Sequence, residues 1–118
     1  MNIQIYFIKK NFDVQKAERF FKERRIPYQL MDMKKTPPGR RELQLFAQQA
    51  GGAKKLLNAE DIKVRSQPCM YTPDEDSILE YIAAQPELMI TPVVRNGRKI
   101  TLGNGESAWR LWTEQEKE

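Results

Sequence analysis

"FIKKNFDVQKAERFF", residues Phe7 to Phe21, runs from an apolar strand through a short polar elbow into a helix, and the rest of the chain is organised around that joint. Just upstream, Ile3 to Ile8 reads "IQIYFI", a continuous β-branched and aromatic run of the kind buried on both faces of a sheet, so a central parallel strand is expected. Beyond the elbow, Val14, Ala17, Phe20 and Phe21 fall on one helical face. Asp13 is placed to cap this helix. Its end is expected near Arg25, before Ile26-Pro27, because a residue preceding proline is pushed out of helical geometry. "YQLMDM", Tyr28 to Met33, then reads as a second strand, completing a strand, helix and strand of βαβ length.

"KKTPPGRR", residues 34–41, is a turn in which Thr36 can cap and Pro37 and Pro38 suit a first helical turn. The helix after it carries Leu43, Phe46, Ala47 and Ala50 at i, i+3, i+4, i+7 and ends at Gly51-Gly52. A shorter helical piece is expected over about Ala53 to Leu57, followed by a polar stretch, Asn58 to Tyr71, with too little periodicity to assign. "TPDE", Thr72 to Glu75, has the pattern of a capping box with proline at the first helical position, opening a helix from Pro73 to about Gln85 that buries Ile78, Leu79 and Ile82. In "MITPVVRNGRKITLGNGE", residues 89–106, Asn96-Gly97 between Val93-Val94 and Ile100-Leu102 is a strong hairpin signal. Gly103-Asn104-Gly105 then turns into a last helix with Ala108, Leu111 and Trp112 on one face. The element order is βαβ, helical insert, α, ββ, α.

The chain of 118 residues suits one domain, residues 1–118, with the helical insert at about 37–71 and a flexible tail at about 114–118. No apolar run approaches the roughly 20 residues of a membrane span, and no signal-type segment opens the chain, so a soluble cytoplasmic protein is expected. The sequence has no histidine and a single cysteine, Cys69, which together argue against a metal site, a catalytic triad or an internal disulfide. The net charge of +4 conceals an asymmetry: residues 1–65 hold 15 Lys and Arg against 7 Asp and Glu, and residues 66–118 hold 5 against 9. A basic face toward an acidic protein surface follows as a candidate beside the plainer role of keeping the surface solvated. Nucleic acid is not expected, because no aromatics interleave with the basic pairs Arg24/Arg25, Lys34/Lys35, Arg40/Arg41 and Lys54/Lys55.

Taken in order, these segments resemble a thioredoxin-like domain, α/β, with βαβ and ββα halves around a mixed sheet and a proline, here Pro92, opening the third strand. The helical insert narrows the resemblance to the arsenate reductase (ArsC) and Spx family. Pro38 to Leu43 matches its "P-x-x-x-E-L" helix, "AAQPELMITPVV" its segment leading into the third strand, and "LGNGESAWRLW" its glycine-asparagine turn and final helix. The likeness covers about Met1 to Trp112. It implies a cis Thr91-Pro92 bond facing the elbow.

The resemblance places the family's nucleophilic cysteine at Asn11 and the second cysteine of a Cys-x-x-Cys at Val14; this chain has neither thiol. The arginines that clamp an oxyanion in the reductases fall at Thr91, near Asn58 and near Gly103, again without a guanidinium. Asparagine hydrogen-bonds but does not attack. The reading is therefore of a non-catalytic binding or regulatory module, with a vestigial ligand site at Lys10, Asn11, Phe12, Thr91, Pro92 and Gly103. Phe12 and Met89 are expected to fill the space a substrate would take. No cofactor is required, although glutathione is the ligand such an elbow would receive. The partner implied by Spx-type regulators is an acidic surface such as an RNA polymerase subunit. The alternative is a glutaredoxin-like or arsenate reductase-type oxidoreductase working through Cys69 in "SQPCMY" or through bound glutathione.

Overall fold

A computed structural model describes residues 1–116. The chain separates into two compact units, the first formed by residues 1–31 together with those from 91 onward, the second by Asp32–Ile90.

The first unit is a mixed four-stranded sheet with its flanking helices. Strand β1 (Ile3–Phe7) leads into helix α1 (Phe12–Glu23) and strand β2 (Tyr28–Asp32); β3 (Val93–Asn96), β4 (Lys99–Leu102) and α5 (Glu106–Glu116) complete it. The sheet order is β2-β1-β3-β4, so β1 is central, as its apolar run requires. It pairs antiparallel with β3 in the register Ile3↔Asn96, Ile5↔Val94, Tyr6↔Val93. Val14, Ala17, Phe20 and Phe21 of α1 are buried against Ile3, Ile5, Val94, Trp109 and Trp112 in one cluster. Arg24 stacks its guanidinium 3.7 Å over the Phe20 ring, closing the end of the helix.

Five details of this unit differ from the sequence expectation. The cap of α1 is Asn11, not Asp13, and the helix ends at Glu23 with Arg25 in the left-handed region at φ 57°. Pairing of Asn96 with Lys99 makes Gly97-Arg98 the two-residue loop of the β3–β4 hairpin, with the positive φ of 63° at Gly97 alone. On α5, Leu111 is 57% exposed whereas Trp109 is fully buried, because the indole lies against Phe20 and Phe21 at ring separations of 5.5 and 5.7 Å. Finally, α5 continues through Glu116, so residues 114–116 of the expected tail are helical and the last two lie outside the described residues.

The second unit contains α2 (Arg40–Ala50), α3 (Ile62–Arg65) and α4 (Glu75–Ala84), with 3-10 turns at Ala53–Leu56, Pro68–Met70 and Pro86–Leu88. Leu43, Phe46, Leu56, Val64, Ile78, Leu79, Ile82, Leu88 and Met89 are buried in it. Helix α2 begins after the prolines, not on them. Pro38 holds Pro37 out of helical geometry, and Gly39 takes the cap position with its N–H donating to Glu42 Oε1 at 3.1 Å. The "TPDE" box does not close. Both Glu75 oxygens accept instead from the Ala53 N–H at 3.0 Å, and α4 starts at Glu75 with Asp74 before it. A hydrogen bond from Ser77 Oγ at 2.6 Å holds the Asp74 carboxyl below the usual carboxylate range.

Candidate functional site

Six of the residues singled out from the sequence, Lys10, Asn11, Phe12, Thr91, Pro92 and Gly103, lie in the first unit. The end of β1 and the start of α1 place the first three; the segment entering β3 and the turn leaving β4 place the others. Asn11 joins the two sides. Its Oδ1 accepts from the Val14 N–H at 2.8 Å, the N-cap contact of α1. Its Nδ2 donates to Thr91 across 80 residues of sequence, at 3.3 Å to the carbonyl oxygen and 3.3 Å to Oγ1. The Thr91-Pro92 peptide bond is cis, and the Pro92 carbonyl accepts from the Gly103 N–H at 2.8 Å, so Gly103 belongs to the same joint through backbone alone.

The chemistry at this joint is that of an amide. The position at which the helix N-terminus would acidify a thiol holds an amide that has no ionisable proton in the working pH range. The same amide oxygen takes one of the helix's unpaired N–H groups, and Asp13 adds negative charge in the first turn. Lys10 turns toward Glu18, with 3.4 Å between Nζ and Oε2. Phe12 does not fill a vacated pocket: its ring is 76% exposed, because it occupies the first helical position and faces away from the stripe that Val14 and Ala17 bury.

Cys69 and Asn58 belong to the second unit. Cys69 is fully buried in the 3-10 turn Pro68–Met70, and burial pushes its thiol above the ordinary value. A reactive cysteine needs the opposite shift. The Asn58 N–H donates to the Leu88 carbonyl at 2.9 Å, beside the Leu57–Met89 bridge that closes the unit.

Two contacts escaped the sequence reading. Tyr28 Oη donates to Glu18 Oε1 at 3.3 Å, and burial, the Glu18 charge and that hydrogen bond together raise the phenol's pKa. Trp109 Nε1 donates to Thr101 Oγ1 at 2.8 Å. The role of Asn11 as cap did leave a signal, since asparagine ranks among the strongest N-caps, but Asp13 two positions later competes for the same role.

No protein-family model matches the chain. It is 26% identical over 107 residues to the uncharacterized protein YusI of Bacillus subtilis (strain 168), covering 87% of this chain and 91% of that protein. The structure of the arsenate reductase from Vibrio cholerae is similar with a TM-score of 0.79 at 18% identity, over 92% of this chain and 94% of the other. SACOL0876 from Staphylococcus aureus COL gives a TM-score of 0.78 at 26% identity, over 92% and 96%. The fold is therefore the thioredoxin-like one. Within it, the structural neighbours are arsenate reductase (ArsC)-family proteins, and this chain carries their architecture with its single cysteine at position 69 instead of at the elbow.

Proposed function

We propose that this chain is a non-catalytic binding or regulatory module on an arsenate reductase-type scaffold, its elbow converted from a reaction centre into a structural joint. The observation that carries this is Asn11, whose two amide ends are both engaged inside the protein, Oδ1 on the Val14 N–H and Nδ2 on Thr91. A reductase of this kind forms a covalent sulfur intermediate, for which an amide provides neither thiolate nor leaving group. Cys69 is an unsuitable substitute, being buried with a raised pKa. Among the described residues no helix is long and apolar enough to cross a membrane. The excess of basic residues in the first half suits an acidic partner surface, of which an RNA polymerase subunit is the example the Spx resemblance supplies.

The test is glutathione-coupled turnover of arsenate and of a mixed disulfide by the natural protein beside Cys69→Ser. Background rates in both are expected. Turnover by the natural protein that vanishes in Cys69→Ser would make Cys69 the catalyst and end the proposal. A second reading, retained glutathione binding, is favoured by the Thr91 N–H, which has no hydrogen-bond partner among the described residues. Titration with glutathione while following amide shifts decides it: movement at Asn11, Phe12 and Thr91 supports a site, and silence there removes it.

A further inference from the structure

The sheet order gives β2 a single neighbour, so one row of its backbone N–H and C=O groups has no strand to pair with. Natural edge strands are usually guarded by a lysine, a proline or a bulge. The other edge, β4, opens with Lys99; β2 follows Pro27 and ends on Asp32, but Tyr28-Gln29-Leu30-Met31 between them carries no charge, and Leu30 is 40% exposed. Beside it lies a groove lined by Gln15, Glu18, Arg19, Lys22 and Glu23 of α1 and by Tyr28. These α1 positions follow an i, i+3, i+4, i+7, i+8 spacing, so they form one continuous helical face.

The charges on that face are not equally available. Glu18 is already engaged by Lys10 and by the Tyr28 hydroxyl, whereas Arg19 and Lys22 make no side-chain hydrogen bond or ion pair among the described residues. Residues 1–31 as a whole hold seven Lys and Arg against three Asp and Glu. Alternate side chains of an added strand would face α1 about 7 Å apart, and Arg19 and Lys22 are offset by about 4.5 Å along the helix axis, a mismatch their long side chains span. Tyr28, the first residue of the edge strand, and two cations without a side-chain partner among the described residues thus line one groove.

We propose that β2 is a docking edge for an extended acidic segment of a partner protein. The segment adds as a fifth strand, its backbone pairing with the open side of β2 and its carboxylates lying over Arg19 and Lys22. This names the partner chemistry of the non-catalytic module proposed above, and rests on that reading. Main-chain pairing supplies affinity, and the charge pattern selects acidic segments over basic ones.

The test uses the full chain, 15N-labelled, with a fluorescein-labelled decapeptide of alternating glutamate and valine as probe. A lysine–valine decapeptide and a ten-nucleotide thymidine oligomer serve as comparisons. We expect the acidic peptide to bind with an affinity that falls as salt rises, and to shift the amides of Gln29, Leu30 and Met31. Reversing both exposed cations, Arg19→Glu with Lys22→Glu, should weaken it by about tenfold or more without changing the circular dichroism spectrum. Unmoved β2 amides, equal binding of the lysine peptide, or an unchanged affinity in the double variant would each overturn the docking edge. Binding of the oligomer through the same residues with no response to the acidic peptide would replace it with a nucleic-acid surface. Sulfur-dependent turnover in the preceding assay would defeat the non-catalytic reading alone, since it involves none of these residues.

Discussion

Replacing Asn11 by alanine removes the acceptor 2.8 Å from the Val14 N–H and both 3.3 Å donations to Thr91. Loss of an N-cap costs about 1 kcal/mol, within a range of roughly 0.5–2. The two donations are long and solvent-exposed, so together they add about 0.5 kcal/mol at most. The sum, about 1.5 kcal/mol, corresponds to a fall of about 6 °C in Tm, given an unfolding entropy of roughly 2.1 cal/mol/K per residue. Asn11→Ser separates the two parts, because serine keeps the cap but does not reach Thr91; its cost should be about 0.5 kcal/mol. Urea unfolding read by fluorescence of the buried Trp109 and Trp112, with a shared m value, measures both. An alanine variant within ~0.3 kcal/mol of the parent would refute the structural joint, and a serine variant as damaged as alanine would move the energy from cap to tether.

Arg25 occupies the left-handed position of a Schellman ending, with Ile26 N–H on Phe21 O at 2.9 Å and Arg25 N–H on Lys22 O at 3.1 Å, so Arg25→Gly should raise the urea midpoint by the equivalent of about 0.5–1 kcal/mol. Gly105→Ala should destabilise by about 1–3 kcal/mol, because an added Cβ would stand 2.5 Å from the Thr101 side chain that holds Trp109; thermal melts report it. The raised pKa of Cys69 means that the folded state keeps its proton where the unfolded state loses it. Stability should therefore fall as pH rises past about 8.5, with a shallower fall in Cys69→Ser, and a thiol-reactive probe should label the native protein far more slowly than the denatured one.

Most of the fold is local and so was written in the sequence. The apolar run of Ile3–Phe7, the stripe Val14, Ala17, Phe20 and Phe21, and the glycine stop after Ala50 each follow from a period or a turn preference that neighbouring residues set. The order of these segments, with Pro92 before the third strand, was enough to reach the thioredoxin-like architecture and its arsenate reductase-type insert.

What tertiary structure decided were choices between neighbours of equal local merit. Asn11 and Asp13 are both good caps; Asn11 wins where its other amide end meets Thr91, 80 residues away, a contact no window of sequence contains. Trp109 and Leu111 are both apolar, and only the position of Phe20 and Phe21 determines which one the helix buries. Glu75 suits a capping box until the Ala53 N–H takes both its oxygens. The missing thiol at position 11 was plain in the sequence by itself. That the asparagine there bonds in both directions, and that β2 lies at an edge beside two uncommitted cations, depends on which strands become neighbours, because hydrogen bonds and burial are properties of contacts and not of composition.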